Sequence, residues 1–469
     1  MDPTGGTAPM RPTAGGPVTA SPGAGGPIVG IGQSRSQEAE RTLPRQAIAV
    51  VLVRGLGLAL AFAMNIVLAR LVGAEGFGIY GFAISVLVIL QIFAVCGLDG
   101  VIVKEVAASR ELGRLDRLKG VIIFGVAAIV LLSIAVSSVT LLIVRAAAPA
   151  QWPYADTLAI GLLALAPMAL LSGTAAILEA LRLPLPAQVA ESIVRPCLFI
   201  ALVGIYVLPL DRHLTPEIAA VVHVLSYAGA LLVAVGYLLG RIRRDIWTVS
   251  AAITPRVWLT AAAGFALTNA AYVITEKTDV IMLAAFADPE AVGIYRAAAR
   301  CAHLVSFALL AAMLPLRPAI SAAFARGNDK RAQGRAMRTA AKFAMAIGLP
   351  AAVLLIAFGD TLLGVFGSEF SQGRIALTIL VLGQLVNVAA GPVGVLMTMT
   401  GHEKRVAATV SASAACNVIL NFFLIPRFGL EGAAVATAIS LVLWNAITLH
   451  WVITHLRINP TIFGPRLDD

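Results

Sequence analysis

Twelve hydrophobic runs separated by short polar breaks organise this 469-residue chain. They fall at about 46–72, 77–99, 120–146, 157–180, 187–210, 216–240, 257–286, 291–316, 338–366, 374–400, 405–426 and 430–455. Roughly 20 mostly apolar residues suffice for a helix to cross the hydrocarbon of a bilayer, so each run predicts one spanning helix. The break at Leu183–Pro186 is the shortest. Pro167, Pro196, Pro315, Pro350 and Pro392 lie inside runs. Kinked spans are expected beside transport paths, although proline is also common in membrane helices at large. Residues 1–42 are mostly Gly, Pro, Thr and Ala and predict a disordered tail, because such a segment buries too little apolar surface to offset its ordering entropy. No charged head followed by an apolar core and cleavage site precedes the first run, which reads as an uncleaved anchor.

Composition agrees with this pattern. The chain is 59% hydrophobic and 13% charged, where a soluble domain carries roughly a quarter charged residues, and its mean hydropathy is +0.89. This is the composition of an integral membrane protein. The formal charge of +10 would suggest a nucleic-acid partner in a soluble protein, but topology explains it here. With both termini and every second connection placed on one side, 25 of the 35 Lys and Arg residues fall on that side. Five fall on the other (Arg70, Arg145, Arg212, Arg374, Arg427) and five lie inside the runs. Such asymmetry follows the positive-inside rule, predicts cytoplasmic termini and supports an even number of spans. The longest connection, Arg317–Ala336, is amphipathic and internal, and Arg241–Pro255 is expected along the membrane surface. No outer connection is long enough to hold a domain.

The chain also repeats. Leu68–Tyr80, LARLVGAEGFGIY, aligns without gaps on Leu283–Tyr295, LAAFADPEAVGIY, at a shift of 215 residues with six of thirteen positions identical. A fainter pair, Leu208-Pro209-Leu210 and Ile425-Pro426-Arg427, lies at 217. The second copy starts six runs after the first. Six is even, so the halves share orientation and a pseudo-two-fold axis along the membrane normal is expected. The predicted fold is therefore an all-α membrane protein of twelve transmembrane helices in two six-helix lobes. These divide as an N-lobe at 43–240, a linker at 241–256, a C-lobe at 257–456 and a cytoplasmic tail at 457–469.

Ionisable side chains in mid-membrane are costly and are functional candidates by default. In run seven, Asn269, Tyr272, Glu276 and Asp279 recur at i, i+3, i+7 and i+10, which places them on one helix face; Lys277 lies beside them. In run eight, Arg296, Arg300 and His303 share a face. Arg54 in run one and Arg195 in run five each lie roughly 12 Å deep at 1.5 Å per residue. Together the cations are expected to line one cavity from both lobes. The alternative is internal pairing, of Glu191 with Arg195 and of Asp279 with Arg296 or Arg300. Gln384, Asn387, Ser413, Asn417 and Asn421 form polar stripes, read either as interhelical hydrogen bonds or as cavity lining. Trp152, Trp247 and Trp451 fall near span ends, as in an interfacial belt. The four cysteines are dispersed among apolar runs, with no spacing for a disulfide frame or a metal. There is no Asp-x-Asp pair, no His/Asp cluster and no Walker-type phosphate loop, so neither an enzyme, a metal nor a cofactor is expected.

Particular residues carry a family resemblance. LAR-LVG-x-E-x-FGIY after run one, Asp279…GIY, LPLRPAISAAFARGN, TGHEKR and NVILNFFLIPRFGLEGAAVATAIS resemble the multidrug/oligosaccharidyl-lipid/polysaccharide exporter superfamily over residues 42–456. The chain is most similar to its polysaccharide transporter branch, the Wzx-type flippases. The resemblance implies two six-helix lobes opening alternately around a central cavity in the bacterial cytoplasmic membrane. The cargo it implies is an oligosaccharide on a polyprenyl diphosphate, destined for lipopolysaccharide or exopolysaccharide, with other polysaccharide-assembly membrane proteins as further partners. Under that reading Arg54, Arg195, Lys277, Arg296 and Arg300 hold the diphosphate, since the guanidinium fork matches phosphate oxygens. Glu276, Asp279 and His303 are then candidates for coupling to a proton or sodium ion, or else neutralise the neighbouring cations. Asn269, Tyr272, Gln384, Asn387, Asn417 and Asn421 would line the cavity. A cation-coupled multidrug or metabolite antiporter of the same fold is the alternative, disfavoured by the arginine excess.

Overall fold

The structure is a computed structural model that describes residues 30–147, 149, 151–208, 213–241, 246, 248–325 and 329–462. Within helices, the side chains at 30–48, 51, 267–268, 271–272, 275 and much of 308–325 are outside that description. The expected tail at 1–42 lies outside it through residue 29, as do Trp247 and the end of the 457–469 tail from residue 463. Residues 47–469 form one compact unit.

Every regular element among the described residues is helical. Helix α1 (Gly30–Val95) holds the first two runs and breaks at Gly73, where φ is +70° and ψ is 179°. Only glycine adopts this backbone readily, so the chain turns there. Cys96 and Gly97 end that pair with positive φ. Helix α2 (Leu98–Glu111) follows, then α3 (Leu115–Ala147), whose Leu131 and Leu142 are each 68% exposed. Large apolar side chains turned outward in mid-span fit a lipid-facing surface. Helices α4 (Ala155–Gly161) and α5 (Leu165–Ala180) join through a 3-10 turn into run four. Arg182, at φ +63°, then separates runs four and five. Run five restarts with Pro184 in the first turn of α6 (Pro184–Val189), passes a π-helical turn at Ala190–Val194 and continues as α7 (Arg195–Val207). Helix α8 (Pro216–Arg241) completes this half.

The second half contains α9 (Pro255–Phe286), α10 (Pro289–Ala325) and α11 (Lys330–Ala357). After α12 (Gly359–Gly364) and a 3-10 turn come α13 (Arg374–Ala390) and α14 (Val393–Met399), divided at Gly391-Pro392. Helix α15 (Glu403–Trp451) holds the last two runs and breaks at Gly429, φ +55°. Among the described residues, eight helices are long and apolar enough to span a membrane, and two of them, 44 and 54 residues long, contain these glycine breaks. Helices α9 and α10 carry the mid-span charges and have 32 and 37 residues. At 1.5 Å per residue each exceeds a roughly 30 Å hydrocarbon core. The arrangement is thus consistent with twelve spans in a multi-pass membrane protein.

The connections are shorter than the hydropathy pattern predicts. The expected loop at Arg317–Ala336 is mostly helix, because α10 runs to Ala325 and α11 starts at Lys330. Likewise α2 occupies the basic stretch after run two. Hydropathy marks where a helix leaves lipid, whereas backbone hydrogen bonding continues into water wherever an amphipathic face finds something to pack on.

The two halves meet on both faces. On the basic one a Cβ on Gly97 would sit 2.2 Å from the Ala262 carbonyl oxygen, and Phe124 packs on Trp258 with ring centres 5.3 Å apart; the second contact lies on the face that carries few Lys and Arg residues. There Gly78 lies so close to the backbone of Pro289 that a Cβ would sit 1.8 Å from its carbonyl oxygen. Gly293 lies the same way against Ala74, at 2.0 Å. Under the 215-residue shift Gly78 corresponds to Gly293 and Ala74 to Pro289, so this is one contact made twice. Arg70 Nε donates to the Val365 carbonyl at 2.7 Å, and the Ala74 amide donates to Glu369 Oε1 at 3.2 Å. Phe62, Phe77, Phe366 and Phe370 pack edge to face or tilted across the same seam.

Candidate functional site

Two adjoining spaces hold most of the ionisable side chains predicted to matter. The smaller, about 80 Å³, lies between α1 and helices α9 and α10. Ser85 and Val88 line one side; Lys277, Arg296 and Arg300 line the other. The larger, about 390 Å³, is enclosed by α9, α10, α13 and α15. Glu276, Asp279, Ala299 and His303 belong to both walls. Glu276 and Asp279 of run seven therefore meet Arg296, Arg300 and His303 of run eight at the junction of the two spaces.

The cations differ in how they are held. Arg296 is buried, with its guanidinium carbon 4.7 Å from the Phe77 ring centre and 5.3 Å from that of Tyr80. Its Nη1 donates to the Phe77 carbonyl at 3.4 Å, and no carboxylate pairs with it among the described residues. Arg300 makes no hydrogen bond or ion pair among the described residues and faces the smaller space. Lys277 pairs with Glu276 at 2.7 Å. Arg195 stacks over Tyr227 at 5.0 Å and leaves its Nε buried and unpaired. The π turn at Ala190–Val194 lies between Glu191 and Arg195, and no Glu191–Arg195 ion pair forms among the described residues; the inserted residue alters the register that a plain helix would give them. Arg195, Arg296 and Arg300 all lie within electrostatic reach of Tyr80. Arg54 lies apart from them. Its Nε donates to Gln188 Oε1 at 2.9 Å, and Glu179 is the carboxylate near it.

The carboxylates are engaged. Asp279 is buried and accepts from the Val280 amide at 2.8 Å, from the Tyr295 hydroxyl at 2.5 Å and from Thr437 Oγ1 at 3.4 Å. Neither Arg296 nor Arg300 pairs with it among the described residues. Glu276 is held by Lys277, with Arg300 and His303 in electrostatic reach.

The polar stripes divide. Gln384, Asn387 and Asn417 line the larger space. Asn387 also accepts from Asn445 Nδ2 at 3.0 Å. Asn421 is fully buried, donates to Asn417 Oδ1 at 2.9 Å and does not line the space. Asn269 lines a separate cleft of about 330 Å³ with Gln91, Asp99 and Ser172. The Tyr272 side chain lies outside the described residues.

Several residues of this centre escaped the sequence reading. Tyr80 and Tyr295 were visible in the repeat as GIY but passed for turn residues. His223 is buried in α8, 2.8 Å from the Tyr80 hydroxyl through Nδ1, with its Nε2 unpaired. An ionisable side chain in the middle of run six was its available signal. Thr437, Ser440 and Trp444 line the larger space from within run twelve; their i, i+3, i+7 spacing was the available signal for an inward face.

The sequence pattern of the family described as "Polysaccharide biosynthesis protein" matches residues 43–324. The chain belongs to this family. The MatE pattern also matches, over residues 265–423. Among curated relatives, a probable low-salt glycan biosynthesis flippase of Haloferax volcanii, Agl15, is 26% identical over 181 residues, a match spanning 38% of each chain. Among solved structures, an inward-facing multidrug resistance MATE family transporter of the MOP superfamily superposes with a TM-score of 0.71 at 16% identity, covering 86% of this chain and 97% of that one. The lipid II flippase MurJ in an inward closed conformation gives 0.67 at 14% identity, with 87% of each chain covered. A MOP superfamily transporter from Pyrococcus furiosus, described as having a binding pocket of reversed polarity, gives 0.63 at 16% identity over 86% of this chain and 94% of its own. At these identities the structural likenesses establish the fold of this polysaccharide biosynthesis family member, and no more.

Proposed function

We propose that the protein flips an oligosaccharide linked to a polyprenyl diphosphate from the inner to the outer leaflet of the cytoplasmic membrane. The observation that carries this is the set of Lys277, Arg296 and Arg300 lining one space at the junction of the halves, with Arg195 held over the Tyr227 ring on the first-half side. Arg296 and Arg300 line this space without a carboxylate partner among the described residues; unpaired positive charge in mid-membrane is expensive unless an anion offsets it, and a guanidinium binds phosphate oxygens in a fixed fork that does not titrate away. Lobes at 43–240 and 257–456, joined by the 241–256 linker, rock about the Gly78/Gly293 seam. Both termini and the basic connections face the cytoplasm, in keeping with the positive-inside count. Arg54, nearer the basic face, meets the diphosphate on its way in.

Asp279 couples the cycle to an ion, because ion occupancy would change its bonds to Tyr295 and Thr437; Glu276 and His303 act beside it. The MatE match favours a multidrug antiporter as the second reading. It is the weaker one, since a cationic drug gains nothing from three arginines.

The test is flipping of a fluorescent polyprenyl-diphosphate-linked disaccharide in reconstituted vesicles. Arg300→Gln and Arg195→Gln should each reduce the rate at least about tenfold, the factor for one charge-assisted hydrogen bond at roughly 1.5–3 kcal/mol, with protein amounts unchanged. Wild-type rates in both would sink the proposal. In the same vesicles Asp279→Asn should abolish any dependence on imposed proton or sodium gradients. A wild type indifferent to both gradients would remove the coupling.

A further inference from the structure

The larger space has a chemistry of its own that the cation cluster does not explain. Its walls supply neutral hydrogen-bonding side chains from three helices: Ser306 on α10, Gln384 and Asn387 on α13, and Asn417 on α15. Gln384 makes no hydrogen bond among the described residues, and the Asn417 amide nitrogen is equally uncommitted. The indole of Trp444 forms part of the same wall, its ring held against Gly394, where an added Cβ would lie 3.4 Å away. Uncommitted donors and acceptors around one aromatic face suit a ligand with many hydroxyls on one side and C–H groups on the other. At about 390 Å³ the volume falls within the roughly 300–1,000 Å³ of small-molecule sites.

The carboxylates on its margin leave room for a coupling proton or metal-sized ion at most, and do not make the chamber a pocket for an organic cation. Asp279 is occupied by Tyr295, Thr437 and a backbone amide, and Glu276 by Lys277. Nor is the wall uniformly apolar, as a site for an acyl chain would be. The order of the two spaces also matters. The cations lie on one side of the shared wall of Glu276, Asp279 and His303, and the neutral chamber on the other. A phosphate seated among the arginines would direct what is esterified to it into the chamber.

We infer that the chamber in the second lobe is the glycan subsite, with Trp444 as the platform for the sugar ring nearest the diphosphate and Gln384 as a donor and acceptor to its hydroxyls. This rests on the flippase reading and extends it, because it separates recognition of the sugar from recognition of the phosphate.

Purified protein in detergent would be titrated with four probes: geranylgeranyl diphosphate, and the same lipid carrying N-acetylglucosamine, glucose or galactose. At least one glycosylated probe should bind about tenfold tighter than the bare diphosphate, as expected for one or two new hydrogen bonds and a ring contact. Gln384→Leu and Trp444→Leu should each remove that increment and leave the bare diphosphate unchanged. Trp444→Phe, which keeps an aromatic face, should retain most of it. Arg300→Gln should weaken all four probes alike. Size-exclusion profiles matching wild type establish that the variants fold, and Gln384→Leu leaves no partner unpaired. If sugars add nothing in wild type, or the increment survives both Leu variants, the glycan subsite is wrong while the phosphate reading stands. If none of the four binds, both fall. If the Leu variants instead lose binding of tetraphenylphosphonium, the chamber is a cation pocket and the proposal is overturned.

Discussion

The two copies of the GIY repeat present the same backbone and different chemistry. In the first half Tyr80 bonds His223 of α8 and is sheathed by Phe199 and His223 rings at 6.3 and 5.7 Å. In the second half Tyr295 bonds Asp279 of α9 and approaches Thr437 of α15. Position 81 is glycine in the first copy; its counterpart is Arg296, whose side chain fills the room that Gly81 leaves, 2.6 Å from where a Cβ would be. Met64, the counterpart of Asp279, is simply packed in the core. What duplication has kept is the requirement for close approach at the axis. Each lobe then supplies its own partner to the conserved hydroxyl, drawn from a different helix. At the axis the second half supplies the buried Arg296 and Asp279, while the first supplies the rings of Phe77 and Tyr80 and the space at Gly81.

That comparison can be broken most severely at the axis. Gly293→Val or Gly78→Val places carbon where a backbone oxygen now lies. Either should cost the closed seam about 3 kcal/mol, the upper range for overpacking, and abolish transport. Disulfide trapping of Ala74→Cys with Glu369→Cys should fall to background in both variants. Efficient trapping in either one would show that the seam is not symmetric in energy.

Next comes the pair Gly81 and Arg296. Arg296→Met keeps the volume and removes a buried charge that has rings and one carbonyl for partners. Relief of its desolvation should stabilise the closed protein by about 2 kcal/mol, seen as a raised Tm, while transport falls. A lowered Tm would mean that the cation–ring contacts outweigh the desolvation.

The smallest effect separates the two tyrosines. Tyr295→Phe deprives buried Asp279 of its shortest bond and should cost about 2 kcal/mol; Tyr80→Phe deprives the His223 ring of one partner and should cost about 1 kcal/mol. Equal shifts in Tm would erase the distinction drawn between the lobes.

The fold was largely legible in the order of residues. Spans, their alternation and the shared orientation of the halves follow from run length, loop charge and an even repeat interval, because a bilayer imposes those requirements on any chain that crosses it. The helical extensions were not legible, since α2 and the end of α10 are stabilised by packing rather than by hydropathy. The site was legible in part. Helical spacing brought Glu276 and Asp279 to the same junction as Arg300 and His303, for spacing within one helix is a local property.

Partnership between helices was not local. The spacing of Glu191 and Arg195 suggested an ion pair, and the π turn at Ala190–Val194 changes the register between them. Asp279 might have bonded either arginine of α10 by sequence, yet the crossing of α9, α10 and α15 presents it to Tyr295 and Thr437. Sequence alone therefore determined that this is a duplicated, multi-pass helical membrane protein with ionisable side chains inside its spans. Which charge meets which partner, which asparagines face the cavity and where Trp444 points depended on how the helices rotate and cross. Those rotations are chosen by packing over the whole assembly, and no stretch of the chain encodes them by itself.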